Sequence, residues 1–196
     1  MKTIISTAHQ AHISGKCSPD GEFKEYEYSR KLCKTICKKL NSLGYESHID
    51  IIDDDLNMSQ SEELRYRCRI INGHHSADKN TIAVSVHCNA AGQSGWSNAS
   101  GLTVHVCNNC SKNSERLAQC IYKQASVNNL QGNRYVPRDY LWRNDFYILK
   151  HTTCPCVLVE TAFMTNKDDL TMMCSDEGFE RIVSTIVEGI RNYWDS

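Results

Sequence analysis

The sequence has little that breaks or divides a chain. Its 196 residues include only 3 prolines and 10 glycines, and no stretch is rich enough in either to read as an interdomain linker. Internal repeats and low-complexity tracts are missing. Net charge is nearly missing too: 22 Lys and Arg stand against 23 Asp and Glu, a formal charge of −1. That balance argues against a partner held mainly by bulk charge, such as duplex DNA or an anionic membrane surface. Long hydrophobic runs are also lacking. None approaches the roughly 20 residues that span a bilayer. After Met1-Lys2 only Ile4 and Ile5 precede polar Ser6 and Thr7, so there is no signal-peptide apolar region. The chain reads as synthesised in the cytoplasm without a signal peptide, with no nucleic-acid partner and no membrane insertion.

What is abundant is cysteine. There are 11, an odd number that cannot all pair within one chain. Most sit where an apolar residue is expected: Cys33 and Cys37 in a helical stripe, Cys88 beside a strand end, Cys120 in another helix. They read as reduced thiols acting as small hydrophobes. Cys107-Asn-Asn-Cys110 is a lone CxxC, half a zinc site or a redox pair. The second half is missing, because Cys154-Pro-Cys156 has the wrong gap. With 40% hydrophobic and 23% charged residues, this length supports one domain whose core needs no disulfides.

Strand and helix patterns alternate along the chain. Thr3–Ala8 reads as a short buried strand. From about Glu25 to Leu43, Leu32, Ile36, Leu40 and Leu43 recur at helical spacing, and Gly44 stops the helix. Ser47–Ile52 alternates as a second strand. Ser59 and Glu62 form a capping-box pattern opening a helix through Leu64, Cys68 and Ile71, with His74-His75 in the connection after it. Thr81–Val86 is a buried strand. Leu102, Val104 and Val106 alternate on another, which turns His105 toward solvent. Ser114 caps a helix carrying Leu117, Ile121 and Ala125. Asn128–Asn144 reads as mostly loop, and Phe146–Leu149 as a short strand or turn. Val157–Val159 is a buried strand, and Asp176–Trp194 is a helix with the clearest apolar stripe. The expected fold class is α/β: a single domain with a mixed, mostly parallel β-sheet flanked by helices on both faces.

In such sheets ligands gather outside the C-terminal ends of the strands. His9 follows the first strand, His87 follows TIAVSV, and Glu160 ends the Val157–Val159 strand. Two imidazoles and a carboxylate are the protein ligands of many catalytic zinc sites, with water in the fourth position. Zinc lowers the pKa of that water to about 7, and a second carboxylate outside the metal shell moves protons. Glu160 fits either carboxylate role. Glu22, Glu25 and Glu27 are the other candidates, and spacing does not choose among them. His48, His74-His75, His105 and His151 are rival ligands. A neighbouring Arg134 or Arg138 would equally explain a buried Glu160.

These residues resemble the type 3 class of zinc-dependent N-acetylmuramoyl-L-alanine amidases, which act on peptidoglycan. The resemblance runs through ISTAHQAHISGKCSPDGEFKEYEYSRKL, LRYRCRIIN, VSVHCNA, GNRYVPR with DFYILKHTTCPCVLVE, and ETAFMTNKDDL with the closing GIRNYW. It covers essentially the whole chain, 1–196, as one catalytic domain with no wall-binding domain. It implies His9, Glu25 and His87 as ligands of one zinc ion and Glu160 as the catalytic carboxylate. The implied reaction cuts the amide between the lactyl group of N-acetylmuramic acid and L-alanine of the stem peptide, at the bacterial cell wall after release or export. Gln10-Ala11 and Ala162 depart from the family pattern. The helix opening and the missing signal peptide look more like phage endolysins than secreted autolysins. Two other readings stand beside it: a zinc carboxypeptidase-like peptidase gripping a terminal carboxylate through Arg134, Arg138 or Arg143, and a non-catalytic wall-binding module.

Overall fold

The computed structural model describes residues 1–53, 55–92 and 95–196. Twelve elements follow one another: β1 (Lys2–Thr7), α1 (Glu25–Ser42), β2 (Glu46–Ile49), α2 (Gln60–Ala77), β3 (Thr81–Asn89), β4 (Thr103–Val106), α3 (Lys112–Val127), β5 (Trp142–Arg143), α4 (Tyr147–His151), β6 (Cys156–Phe163), α5 (Lys167–Cys174) and α6 (Asp176–Trp194). The strands form one sheet in the order β2-β1-β3-β6-β4-β5. β2, β1, β3 and β6 run parallel, and β4 turns against β6. β5 then runs alongside β4.

Strand alternation divides the core into two unequal layers. Ile5, Val84, Val86, Val157 and Val159 point to one face, where α1, α3 and α6 cover them with Leu32, Ile36, Leu117, Ile121, Ile182 and Ile186. Ile4, Ala83 and Leu158 point to the other, covered by α2 and the short α4 through Cys68, Ile71, Ile148 and Leu149. The first layer is thick because its helices carry complete apolar stripes. α3 and α6 approach so closely that a Cβ on Gly189 would lie 2.6 Å from the Ile121 Cα. The second layer is thin. By the same alternation, Ser85, His87 and Glu160 belong to this face. The sparse cover of α2 and α4 therefore leaves space above them.

Several expectations are corrected. His74 and His75 lie in the last turn of α2, which runs on to Ala77. The N-cap of α3 is Ser111, whose side chain accepts from the Ser114 amide. Phe146–Leu149 contributes to α4 rather than a strand or turn, because Phe146 caps it and Ile148 and Leu149 are buried. The 128–144 stretch contains β5. His105 does not face solvent: it is 8% exposed, since Trp142 and Phe146 pack against its ring and Asn144 bonds it. Five cysteines are buried, five are half-buried and Cys174 is exposed, so only about half fill the core.

Candidate metal centre

His87 and Glu160 sit inside their strands rather than after them, opposite one another in the β3–β6 register. Beyond His87 the pairing shifts before Asn89 meets Phe163, and this irregularity marks the functional end of the sheet. His9 lies just past β1. Glu25 is the first residue of α1. The chain reverses between β1 and α1, so the head of that helix returns to the same sheet end.

His9, Glu25 and His87 each place one ligand-capable atom within 4.8 Å of the other two. His87 Nδ1 lies 3.2 Å from Glu25 Oε1, and His9 Nε2 lies 3.9 Å from Glu25 Oε2. The two imidazole rings meet edge-on, centroids 5.2 Å apart. The Cys88 amide donates to Glu25 Oε1 at 3.0 Å, and His87 Nε2 lies 3.0 Å from Ser85 Oγ. Behind them, the Ser29 hydroxyl accepts from the Ala8 amide at 2.8 Å and donates to the Val86 carbonyl at 2.7 Å. The Arg67 guanidinium donates to the Ala8 carbonyl at 2.9 Å, and Arg30 donates to that of His9 at 2.9 Å. The backbone carrying His9 is thus held from three sides.

The electrostatics match this geometry. Burial, reinforced by the neighbouring His87, pushes the His9 pKa down to about 3, so the ring is the neutral imidazole that a metal requires. Burial opposes ionisation of Glu25, but His87, His9 and the Cys88 amide outweigh it and hold the carboxyl below its usual value. Two imidazoles, that of His9 held neutral, and a carboxylate favoured in its ionised form fit a divalent ion of intermediate softness. Glu160 differs. Burial, with Glu25 nearby, pushes its pKa up to about 7 against the pull of His87, and its Oε2 is buried without a hydrogen-bond partner among the described residues. Such an orphaned oxygen is costly unless it serves a purpose.

The rival candidates lie elsewhere. Glu27 is exposed and accepts from the Tyr26 hydroxyl, and neither it nor Glu22 joins the cluster among the described residues. His48 stacks on His74, His75 lies 2.9 Å from the Thr153 hydroxyl, and His151 stacks on Tyr147. His105 is held between the Thr103 hydroxyl and the Asn144 amide. Arg134 lies over the Phe163 ring, and among the described residues neither it nor Arg138 pairs with Glu160. Arg143 is already bound to Glu115 and Asp139. Cys107 donates to Asp145. It joins no metal cluster with Cys110 among the described residues.

His9, His87 and Glu160 all line one cavity of about 270 Å³, walled by Leu64, Phe146 and Leu158 and reached by Lys16. Sequence reasoning missed the supporting residues Ser29, Ser85 and Lys16. Serines and lysines carry no spacing signal, and only their contacts reveal them.

A Bacillus subtilis (strain 168) protein, YqiI, of uncharacterised function, is 33% identical over 121 residues, 61% of this chain and 54% of that protein. The germination-specific N-acetylmuramoyl-L-alanine amidase of the same organism is 26% identical over 135 residues, 69% of this chain and 52% of that protein. The chain thus aligns with about half the length of these curated relatives. The fold is similar to the crystal structure of an N-acetylmuramoyl-L-alanine amidase from Clostridium difficile 630, with a TM-score of 0.83 and 22% identity over 100% of this chain and 97% of that one. Over residues 3–192 the sequence matches the model of the Amidase_3 family, N-acetylmuramoyl-L-alanine amidase, and the chain belongs to that family.

Proposed function

We propose that this chain is the catalytic domain of a zinc-dependent peptidoglycan hydrolase. It cleaves the amide between the lactyl group of N-acetylmuramic acid and L-alanine of the stem peptide. The observation that carries the reading is the unpaired, buried Glu160 carboxyl beside the His9–Glu25–His87 cluster at the edge of one cavity.

His9, Glu25 and His87 would hold the ion. Zinc, when bound, polarises the scissile carbonyl and lowers the pKa of the attacking water. Glu160 takes the proton of that water as its oxygen attacks the carbonyl carbon. It then delivers the proton to the alanine nitrogen as the carbon–nitrogen bond breaks, giving a carboxylic acid and a free amine. A pKa near neutrality suits a group that must both take and return a proton. Ser85 fixes the His87 ring, and the Cys88 amide fixes Glu25.

Digestion of purified wall with mass analysis of the fragments tests this. Free stem peptides with an L-alanine N-terminus support the amidase. Trimmed stems still attached to glycan identify a peptidase instead. Undigested wall with zinc-loaded protein identifies a non-catalytic module. Elemental analysis of the purified protein reads the metal separately.

A further inference from the structure

Four charged side chains besides the metal cluster line the cavity: Lys16, Glu63, Arg67 and Glu160. Two of them pair with each other, Arg67 with Glu63 Oε1, which leaves Glu63 Oε2 buried without a partner among the described residues. Arg67 is 3% exposed and bound to Glu63 and Asp50, to the Thr7 hydroxyl and to the Ala8 carbonyl. Glu160 faces the reacting atoms in the mechanism above. That leaves Lys16. Its side chain is half-buried, and among the described residues its ammonium has no hydrogen bond or ion pair. The backbone itself is fixed. The Lys16 carbonyl accepts from the Glu25 amide at 3.1 Å, and the adjacent Cys17 bridges to Lys24. The lysine therefore rides on the head of the helix that supplies the central cluster carboxylate. Its charge is felt at both His9 and Glu160, where it favours the unprotonated forms.

We propose that Lys16 is a specificity-determining residue whose ammonium grips a free carboxylate of the stem peptide on the residue that follows L-alanine. This rests on the amidase reading. The substrate's chemistry selects the partner. On the sugar side the lactyl carboxyl is consumed in the scissile amide and carries no charge. The peptide side does carry an anion. Its second residue is a glutamate joined through its side-chain carboxyl, and the α-carboxyl left over is either free or amidated. That group starts about one residue length, ~3.5 Å, beyond the alanine. An unpaired cation beside the reacting atoms matches the free acid and gains no ion pair from the amide.

The test uses two synthetic substrates, N-acetylmuramoyl-L-alanyl-D-isoglutamate and its isoglutamine amide, with the zinc-loaded protein. Wild-type protein is expected to favour the acid by ~10- to 100-fold in kcat/KM, the range of one charged hydrogen bond. Lys16→Met should bring that ratio below about 3, and Lys16→Arg should restore it. Equal wild-type rates on the two substrates, or an unchanged ratio in Lys16→Met, overturn the proposal. Titration calorimetry of Glu160→Gln protein with the same pair, with and without Lys16→Met, reads the preference without turnover. If wild-type protein cuts neither substrate but the calorimetric preference follows Lys16, the amidase reading fails and the carboxylate grip stands. If cutting occurs and no calorimetric preference is seen, the grip fails alone.

Discussion

Ser29 joins the two histidine-bearing strand ends by one hydroxyl, accepting from the Ala8 amide at 2.8 Å and donating to the Val86 carbonyl at 2.7 Å. Ala8 and Val86 immediately precede His9 and His87. The spacing of the two imidazoles is therefore fixed from within α1, the same helix that presents Glu25. Ser29→Ala should weaken zinc binding by about 10- to 100-fold, as loss of supporting contacts does elsewhere. Competition with a chromophoric chelator measures it, and an unchanged affinity would show that the hydroxyl is only a packing contact.

Glu160→Gln keeps the shape of the side chain and removes its base. It should retain one zinc per chain and lose about 10²–10⁴-fold in kcat. Release of alanine-terminated peptides from purified wall is the readout. Digestion at the native rate would exclude Glu160 from the chemistry.

His9→Ala and His87→Ala should each abolish stoichiometric zinc, while His105→Ala keeps it, because His105 is tied to Thr103 and Asn144 away from the cluster. Elemental analysis after dialysis decides. Zinc retained by both ligand variants would remove the assignment.

His105 also makes stability depend on pH. Burial pushes its pKa from 6.5 down to about 4. The unfolded chain takes up a proton below pH 6.5 that the folded chain refuses until about pH 4. Stability from this residue is complete above 6.5 and falls as pH drops toward 4, by about 3 kcal/mol in all. Urea unfolding of zinc-free protein at pH 7 and 4.5 should show that His105→Gln loses less stability over this interval than the wild type, the difference being the His105 share. Equal slopes for the two proteins would contradict the assignment.

Arg67 neutralises two carboxylates that have almost no exposure, Asp50 and Glu63. Arg67→Met leaves both buried without a cation and should cost about 3–5 kcal/mol. Denaturant midpoints check this. A loss under about 1 kcal/mol would mean that Asp50 and Glu63 are held by other partners.

The long elements were legible because their burial is periodic. The α6 stripe predicts Asp176–Trp194, which is the observed helix, and the Ser59–Glu62 box does open α2. Short elements escaped. β5 has two residues and α4 has five, too few for either to show a period. His105 was misplaced because alternation along one strand does not reveal that Trp142, Phe146 and Asn144, from the chain beyond α3, cover its outer face. The glutamate near the head of α1 could not be chosen by spacing among Glu22, Glu25 and Glu27. The separation came from burial: Glu25 is 2% exposed, and it alone of the three meets both imidazoles among the described residues. Glu160 was legible as a polar residue after an apolar run. Its lack of a partner was not, because that depends on the two arginines lying elsewhere.

The cluster and the carboxylate that works beside it come from opposite ends of the chain. His9 just past β1, Glu25 on α1 and His87 on β3 all lie within the first 89 residues, whereas Glu160 arrives on β6. As the polypeptide leaves the ribosome, every proposed ion-holding side chain is made before the proton carrier. β6 must also insert between β3 and β4, both already synthesised, before Glu160 can face the cluster. On the proposed reading, a chain broken off before residue 160 carries the ion-holding groups without the proton carrier.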